Sequence, residues 1–385
     1  MRISRIILKS WRNFRSVDVD LQRRVFLIGP NASGKSNFLD AFRFLHDIAK
    51  PLGGGLLKSI SDRGGDSKIR CLWASGRSSQ IEIEVHITGD KDSDPNWRYA
   101  ISIKRKQEGK HDPVLEYEKV WRDDRLILDR PNKKDIDDPK LLTQTHLQQT
   151  SANKEFREIA DYFSSFRYFH LVPQLLRYPE AFAGKSMEED PFGREFLEDI
   201  YKTNKRTTQS RLNKIERALK IAVPYFSKLQ VEKDDSGKPH LQIRYENWRP
   251  HGAKQTEEEL SDGTLRFIGF LWTLLEGNQL LLFEEPELSL HTAVIRNLPR
   301  LIWRIQEKEN SQVIISTHSI ELLSDEGIEG EEVLVLIPGE KGTAIKPASS
   351  IENVRLLMEG GMSVVDAVIP ITEPKDINQL DLFDV

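Results

Sequence analysis

The amino-acid sequence predicts an α/β fold with a parallel sheet. Between Thr264 and Ser316, apolar strand-like runs alternate with segments of helical periodicity, which is typical of helices packed on a parallel sheet. Near the N-terminus, a short apolar strand at residues 25–28 leads into a glycine-containing loop at 29–36. Helical spacing follows over residues 37–49. The same strand–loop–helix arrangement is therefore expected in both parts of the chain.

The composition indicates a globular protein. The chain has 385 residues, 38% of them hydrophobic and 30% charged, and no apolar run long enough to cross a bilayer. The N-terminus lacks the pattern of a signal peptide, and one cysteine, Cys71, can form neither an intrachain disulfide nor a thiolate metal site. We therefore expect a cytoplasmic protein with no membrane contact. The net charge of −4 means that DNA binding requires a local basic patch.

The remaining elements follow from periodicity along the chain. Strands are predicted within residues 1–28 and at 81–87, 97–103 and 115–121. A short, mostly helical insertion is predicted at 135–225, with one strand in it at 166–172. Later strands are predicted at 241–245, 280–283, 313–316, 333–337 and 343–346, and helices at 264–275, 292–308 and 351–359. The predicted division is an N-terminal part at 1–134, the insertion at 135–225, a C-terminal part at 226–370 and a flexible tail at 371–385.

The most specific motif is Gly29-Pro-Asn-Ala-Ser-Gly34-Lys35-Ser36, which has the spacing of a P-loop between a strand and a helix. Glycines let the backbone wrap around phosphate, and the following helix presents free N–H groups to it. Lys35 is expected to reach the β- and γ-phosphates of a nucleotide, and the Ser36 hydroxyl to coordinate Mg²⁺. The alternative, an ordinary glycine turn, is disfavoured by the strand–loop–helix context.

Two strand ends carry further candidate residues. The apolar run at 280–283 ends in Glu284 and Glu285, so both carboxylates are expected at the carboxyl edge of a sheet. There Glu284 can hold Mg²⁺ through water and Glu285 can polarise an attacking water. Taken alone, a solvated acidic turn explains them equally well. The strand at 313–316 leads to His318, and a lone histidine is more often structural than functional.

A short motif, Leu260-Ser261-Asp262-Gly263-Thr264, directly precedes the helix predicted at 264–275. Ser261 is a good N-cap, so the simplest interpretation is a capped helix. Its position about twenty residues before the acidic strand favours a functional role in addition.

Taken in order, these four motifs resemble those of an ABC-type ATPase head. Asn13-Phe14-Arg15-Ser16, Glu285-Pro-Glu-Leu-Ser-Leu-His291 and Ser316-Thr-His-Ser319 are similar to motifs of the SMC/RecF/OLD branch. Within that branch, the compact AAA-family ATPases of bacterial phage-defence operons are the most similar group. The resemblance covers residues 1–130 and 225–345. It implies a P-loop head with a mixed, mainly parallel sheet, an antiparallel β lobe and a short helical insertion.

The resemblance also implies a role for each matching residue. The residues that would bind the phosphates and Mg²⁺ are Gly29, Asn31, Gly34, Lys35, Ser36 and Asn37. Glu284 and the Q-loop candidate Gln174 would join Ser36 at the metal. Glu285 would be the catalytic base, and Arg15 matches a nucleotide-contacting arginine.

The resemblance implies three further roles. Residues 289–291 would form the D-loop, and His318 would sense the γ-phosphate. Ser261 and Gly263 would contact the γ-phosphate of the ATP that is bound to a second copy. This implies a homodimer that sandwiches ATP, because within one head the signature helix does not reach its own P-loop.

The sequence departs from the family pattern at two places. Glu284 stands where the family usually has Asp, and an extra methylene moves a carboxylate by about 1 Å, which matters for chemistry that depends on positioning. Asp262 and Thr264 stand where transporters carry Gly and Gln, as is common in this branch. ATP binding with slow hydrolysis is therefore expected, which suits a switch.

The leading functional hypothesis is a dimeric switch in anti-phage defence that senses nucleic acid or a phage component and controls a separate nuclease or toxin. No acidic clusters of a TOPRIM nuclease site follow Ser319. The alternatives are a RecF-like ATPase of DNA repair or replication, and a non-hydrolysing scaffold that ATP stabilises.

Two features bear on partners. Basic residues of one helical segment form a candidate DNA-contacting patch, although a solvated helix face explains them equally well. They are Lys202, Lys205, Arg206, Arg211, Lys214, Arg217 and Lys220. The tail segment Gln379-Leu-Asp-Leu-Phe383 resembles peptides that dock on the bacterial sliding clamp; the alternative is an amphipathic tail that packs on its own head or on a partner.

Overall fold

A computed structural model gives the structure of the chain and describes residues 1–50, 52–74, 80–91, 95–105, 113–180, 192–246, 253–277 and 279–373. The elements of the first third of the chain are β1 (Arg2–Trp11), β2 (Phe14–Asp20), β3 (Arg24–Ile28), α1 (Lys35–Ala49), α2 (Leu56–Asp62), α3 (Asp66–Ile69), β4 (Ile81–Thr88), β5 (Trp97–Arg105), β6 (Pro113–Arg122) and β7 (Arg125–Arg130).

The elements of the middle of the chain are α4 (Lys133–Asp137), a 3₁₀ helix (Pro139–Thr143), α5 (Arg157–Ser164), β8 (Arg167–Phe169), α6 (Pro173–Arg177), α7 (Phe196–Lys202), α8 (Lys205–Ala222), β9 (Phe226–Lys233), β10 (Pro239–Tyr245) and β11 (Ala253–Thr256). Those of the last third are α9 (Asp262–Leu274), β12 (Leu280–Glu284), α10 (Thr292–Ile295), α11 (Leu298–Glu309), β13 (Gln312–Ser316), β14 (Val333–Gly339), β15 (Gly342–Pro347), a 3₁₀ helix (Ala348–Ser350), α12 (Glu352–Glu359) and α13 (Val364–Thr372).

The chain forms two compact units. The first contains residues 1–166, 311–318 and the described part of 326–385, and the second contains 167–310 and 319–325. The segment at 135–225, which the sequence predicts as one insertion, supplies α4 and α5 to the first unit and α6 to α8 to the second. None of the helices in the described parts of the chain has the length and apolar character that a membrane span requires.

An antiparallel sheet dominates the first unit. Its strand order is β2-β1-β4-β5-β6-β7, and every neighbouring pair is antiparallel. In β4, buried residues alternate with partly exposed ones, because one face of this sheet packs on the core. This sheet is the antiparallel lobe that the sequence resemblance implies.

The first unit also contains a parallel group of strands around β3. Both β13 and β14 pair with β3 in parallel, and β15 pairs with β14 antiparallel. All five residues of β3 are buried, as expected for a central strand of a parallel sheet. Helix α1 buries Phe38, Phe42 and Phe44, and the ring of Phe44 lies 5.3 Å from that of Trp11. The parallel strands and the antiparallel lobe together confirm the predicted fold class.

The second unit is built around β12 and α9. Strand β12 pairs in parallel with β8, and the rings of Phe169 and Phe270 lie 6.1 Å and 4.8 Å from the ring of Phe283. A separate antiparallel sheet has the order β11-β10-β9 and packs against α7 and α8. The strand predicted at 166–172 spans only Arg167–Phe169, because Pro173 begins α6.

Candidate functional site

The glycine-containing loop after β3 has the geometry of a phosphate-binding loop. Gly34 lies at the N-cap of α1 with φ of 101°, and Ala32 has φ of 62°. The Nζ atom of Lys35 donates to the carbonyl oxygens of Gly29 at 3.0 Å and Pro30 at 3.3 Å. The lysine is thus folded over its own loop and buried, close to the N-terminus of α1, where an anion is favoured.

Both glycines of this loop are required by space, and Gly34 is also required by its positive φ. A Cβ atom on Gly34 would lie 2.2 Å from the side-chain amide of Asn13, and one on Gly29 would lie 2.8 Å from the carbonyl oxygen of Leu336. Asn31 and Ser36, in contrast, are exposed. The loop therefore combines a tightly packed back with an accessible front, an arrangement that fits nucleotide phosphates.

Asn13 is the residue that holds this loop in place. Its Nδ2 atom donates to the carbonyl oxygen of Ser33 at 2.7 Å and to Oγ1 of Thr343 at 2.9 Å, and its Oδ1 atom accepts from Nδ2 of Asn37 at 2.9 Å. Sequence reasoning gave Asn13 no role, although it begins the motif that contains Arg15. The bond from Asn37 points to a supporting function, and its predicted contact with the nucleotide stays a prediction.

His318 lies at the same sheet edge as the loop. Strands β13 and β3 are parallel with Ser316 opposite Leu27, and the amide of Thr317 donates to the carbonyl oxygen of Leu27 at 3.1 Å. Both strands therefore end together, one at the loop and the other at the exposed His318. Arg15 is exposed beside a cavity of about 500 Å³ that the turn between β14 and β15 also lines.

The acidic strand end belongs to the second unit. Glu284, the last residue of β12, accepts a short hydrogen bond from the phenol of Tyr168, and Nδ1 of His170 lies 3.2 Å from the backbone carbonyl oxygen of Glu284. Glu285 follows with φ of 45°, a left-handed conformation that few residues other than glycine adopt. Such strain often accompanies functional positions. Sequence reasoning missed Tyr168, which reaches Glu284 because it lies opposite Leu282 in the β8–β12 pair.

The predicted signature motif is also in the second unit, and it packs against the segment predicted as the D-loop. Ser261 caps α9 by accepting from the amide of Thr264 at 3.2 Å. A Cβ atom on Gly263 would lie 2.2 Å from the carbonyl oxygen of Ser289, which itself has φ of 64°. His291 caps α10 through Nδ1, which accepts from the amide of Ala293 at 3.1 Å. The start of α9 and the D-loop backbone are therefore in direct contact.

Gln174 lies beside the signature motif. It is the second residue of α6, and its Nε2 atom is 3.5 Å from Oδ2 of Asp262. Its predicted role at the metal stays a prediction.

A P-loop on a parallel strand, an acidic strand end and a capped signature helix define an ATPase head of the ABC type. Within this class, the chain belongs to the family described as "AAA domain, putative AbiEii toxin, Type IV TA system", whose sequence profile matches residues 24–324. This membership confirms the resemblance that the four motifs carry.

Two relatives share short regions with the chain. The DNA replication and repair protein RecF of Vibrio campbellii is 33% identical over 96 residues, which are 24% of this chain and 26% of RecF. Endonuclease GajA of Bacillus cereus is 45% identical over 47 residues, which are 12% of this chain and 8% of GajA. The chain thus matches about a quarter of the RecF length and less than a tenth of GajA.

The fold has a counterpart among solved structures. An SMC head, crystallised with the C-winged helix domain of ScpA, aligns with a TM-score of 0.54 and 15% identity. The alignment covers 90% of this chain and 98% of the SMC head. The two proteins therefore share their fold.

Proposed function

We propose that this protein is a slowly hydrolysing ATPase that dimerises around ATP and acts as a switch in anti-phage defence. It would sense nucleic acid or a phage component and control a separate nuclease or toxin. The observation that carries the proposal is the contact between Gly263 and the Ser289 carbonyl. It joins the start of the signature helix, which the resemblance assigns to the second copy's nucleotide, to the predicted D-loop in one surface of the second unit.

The chemistry of that surface suits a phosphate group. Helix α9 has 13 residues, and its N-terminus carries the positive end of the helix dipole. Ser261 is exposed at this end. A γ-phosphate that is held by the P-loop of one copy would complete the signature of the other, so ATP would be the bridge between copies.

The environment of Glu284 supports slow turnover. Tyr168 donates to its Oε2 atom and occupies one lone-pair direction that Mg²⁺ or a metal-bound water would otherwise use. Mg²⁺ needs near-ideal octahedral geometry. The longer Glu side chain and its phenol partner together restrict that geometry, which favours long-lived ATP complexes over rapid cycles.

The test combines ATP turnover with mass in solution, for the wild type and Glu285→Gln, with and without duplex DNA. Glu331→Gln, an exposed site in the first unit, is the matched control. We expect slow turnover in the wild type and control, and loss of turnover with an ATP-trapped dimer in Glu285→Gln. A protein that stays monomeric with ATP in every variant would refute the dimer. Dimerisation without turnover in the wild type would favour the scaffold hypothesis.

The second candidate function, a RecF-like role at DNA, is supported by the 96-residue match to RecF. Its proposed clamp-docking segment, Gln379–Phe383, lies outside the described residues, and pull-down of the clamp by the intact chain would test it. The candidate DNA patch is partly neutralised, because Lys214 pairs with Glu309 at 2.7 Å and Lys220 with Glu216 at 2.9 Å.

Another member of the patch, Arg211, stacks at 5.0 Å over the ring of Trp272. Lys205 and Arg206, on the exposed first turn of α8, are therefore the residues to replace by glutamate in a DNA-binding assay. Unchanged binding and unchanged salt dependence would remove the patch from the proposal.

A further inference from the structure

The signature motif contains a carboxylate at a position that an anion would approach. Asp262 is the first residue of α9 and lies between Ser261 and Gly263, which are proposed to receive the γ-phosphate of a second copy. Its side chain is 37% exposed. An uncompensated carboxylate at this place would repel the phosphate, since like charges are unfavourable across an interface.

Arg177 forms an ion pair with this carboxylate and holds the motif. The Nη2 atom of Arg177, the last residue of α6, lies 2.6 Å from Oδ1 of Asp262 and donates to the carbonyl oxygen of Leu260 at 2.6 Å. Its Nε atom donates to the carbonyl oxygen of Glu257 at 3.3 Å. The arginine side chain is only 12% exposed, so its guanidinium is fixed between these three acceptors.

Glu257, whose carbonyl oxygen accepts from Arg177, is itself anchored. The carboxylate of Glu257 is buried; it accepts from the amide of Leu241 at 2.8 Å, and Nδ1 of His240 lies 2.6 Å from it. The backbone that receives Arg177 is therefore tied to β10. Because this support is anchored, Arg177 can hold Leu260 and Asp262 of the signature motif in a fixed position.

We propose that Arg177 is a positioning residue for the signature motif. By pairing with Asp262, it neutralises this carboxylate and draws it to the side of Gln174, whose Nε2 atom lies 3.5 Å from the other oxygen. Ser261 and Gly263 are then left to face an anionic phosphate. This inference rests on the proposed function, because it requires a second copy that delivers ATP to this surface.

The test is a double-mutant cycle in the Glu285→Gln background. Arg177→Met, Asp262→Asn and the double variant are titrated with ATP, and the dimer fraction is followed by mass in solution. Arg177→Met should raise the ATP concentration for half-maximal dimerisation at least about 10-fold, because Asp262 then lacks its ion-pair partner and repels the incoming phosphate. Asp262→Asn in the double variant removes that charge and should restore dimerisation to within about 3-fold of the parent.

The controls separate positioning from folding. Arg125→Met, on the exposed first residue of β7, should leave dimerisation unchanged. Binding of a fluorescent ATP analogue to the single chain should be equal in all variants. A double variant that dimerises no better than Arg177→Met would overturn the inference while leaving the proposed function intact. Absence of any ATP-dependent dimer in the parent would overturn both.

Discussion

Replacement of Gly263 by alanine introduces a methyl group at the contact between the signature helix and the D-loop. The new Cβ atom would lie 2.2 Å from the Ser289 carbonyl oxygen and 3.1 Å from its carbonyl carbon. Cβ atoms essentially never approach another atom closer than 3.0 Å, so the two segments must separate by about 0.8 Å. The close atoms are backbone, so no side-chain rotation can relieve the clash.

A shift of about 1 Å at a reacting centre costs on the order of 100-fold in rate. We therefore expect Gly263→Ala to lower ATP turnover about 100-fold and to weaken the ATP-trapped dimer of the Glu285→Gln background. Binding of a fluorescent ATP analogue to the single chain should stay within about 2-fold of the wild type, because the P-loop is unchanged. The free energy of unfolding should fall by about 1–3 kcal/mol, as is usual when a core contact is overpacked.

The assay measures turnover, dimer mass and analogue binding on the same preparations. Gly360→Ala is the matched control, because Gly360 has φ of −76° and its nearest neighbour for a new Cβ is 3.3 Å away. Turnover of Gly263→Ala within about 3-fold of the control would refute the assignment of this contact to the ATP-bound dimer.

Three further predictions concern the first unit. Asn13→Ala removes the bonds to Ser33 and Asn37 and should weaken binding of a fluorescent ATP analogue about 10-fold; unchanged affinity would contradict the supporting role. Arg130→Met leaves the buried carboxylates of Glu118 and Asp135 without their cation and should lower the free energy of unfolding in denaturant by about 3–5 kcal/mol; a loss below about 1 kcal/mol would contradict it. Burial and the Arg130 charge lower the pKa of His146 to about 4, so the folded protein holds this histidine neutral. The contribution of neutral His146 to the free energy of unfolding is complete above the ordinary histidine pKa of 6.5. This contribution is lost as the pH falls from 6.5 toward 4. Between pH 7 and 4.5, the midpoint temperature of thermal unfolding should therefore change less with pH in His146→Gln than in the wild type.

The sequence predicted the elements that carry motifs. Strands β3, β12 and β13 are short apolar runs, and a glycine-containing loop, two glutamates and a histidine stand in turn at or just after their ends. Both the strands and the candidate site residues at their ends could therefore be predicted. Helix α9 was predicted because Ser261 is a strong N-cap before an apolar run. Local signals of this kind survive in the structure because the fold and the local propensities agree.

Other features depend on contacts that no local pattern contains. Strand β9 lies at the edge of a small sheet and carries mostly polar residues, so it lacked a clear strand signal. Asn13 and Arg177 are polar residues in short segments, and their partners lie up to 330 and 85 residues away. Only the tertiary structure brings Asn13 to the loop after β3 and Arg177 to Asp262.

The pairing of β3 has a consequence for synthesis of the chain. Its two neighbours in the first unit are β13 and β14, and Arg24 lies opposite Val313 while Ile28 lies opposite Val335. The ribosome adds about 5–20 residues per second, so roughly 15–60 s separate the emergence of β3 from that of its partners. During this interval the nascent P-loop has no sheet to hold it, and the apolar β3 segment is available to chaperones or to incorrect pairing. The sheet edge that carries this loop therefore forms only after β13 and β14 have been made.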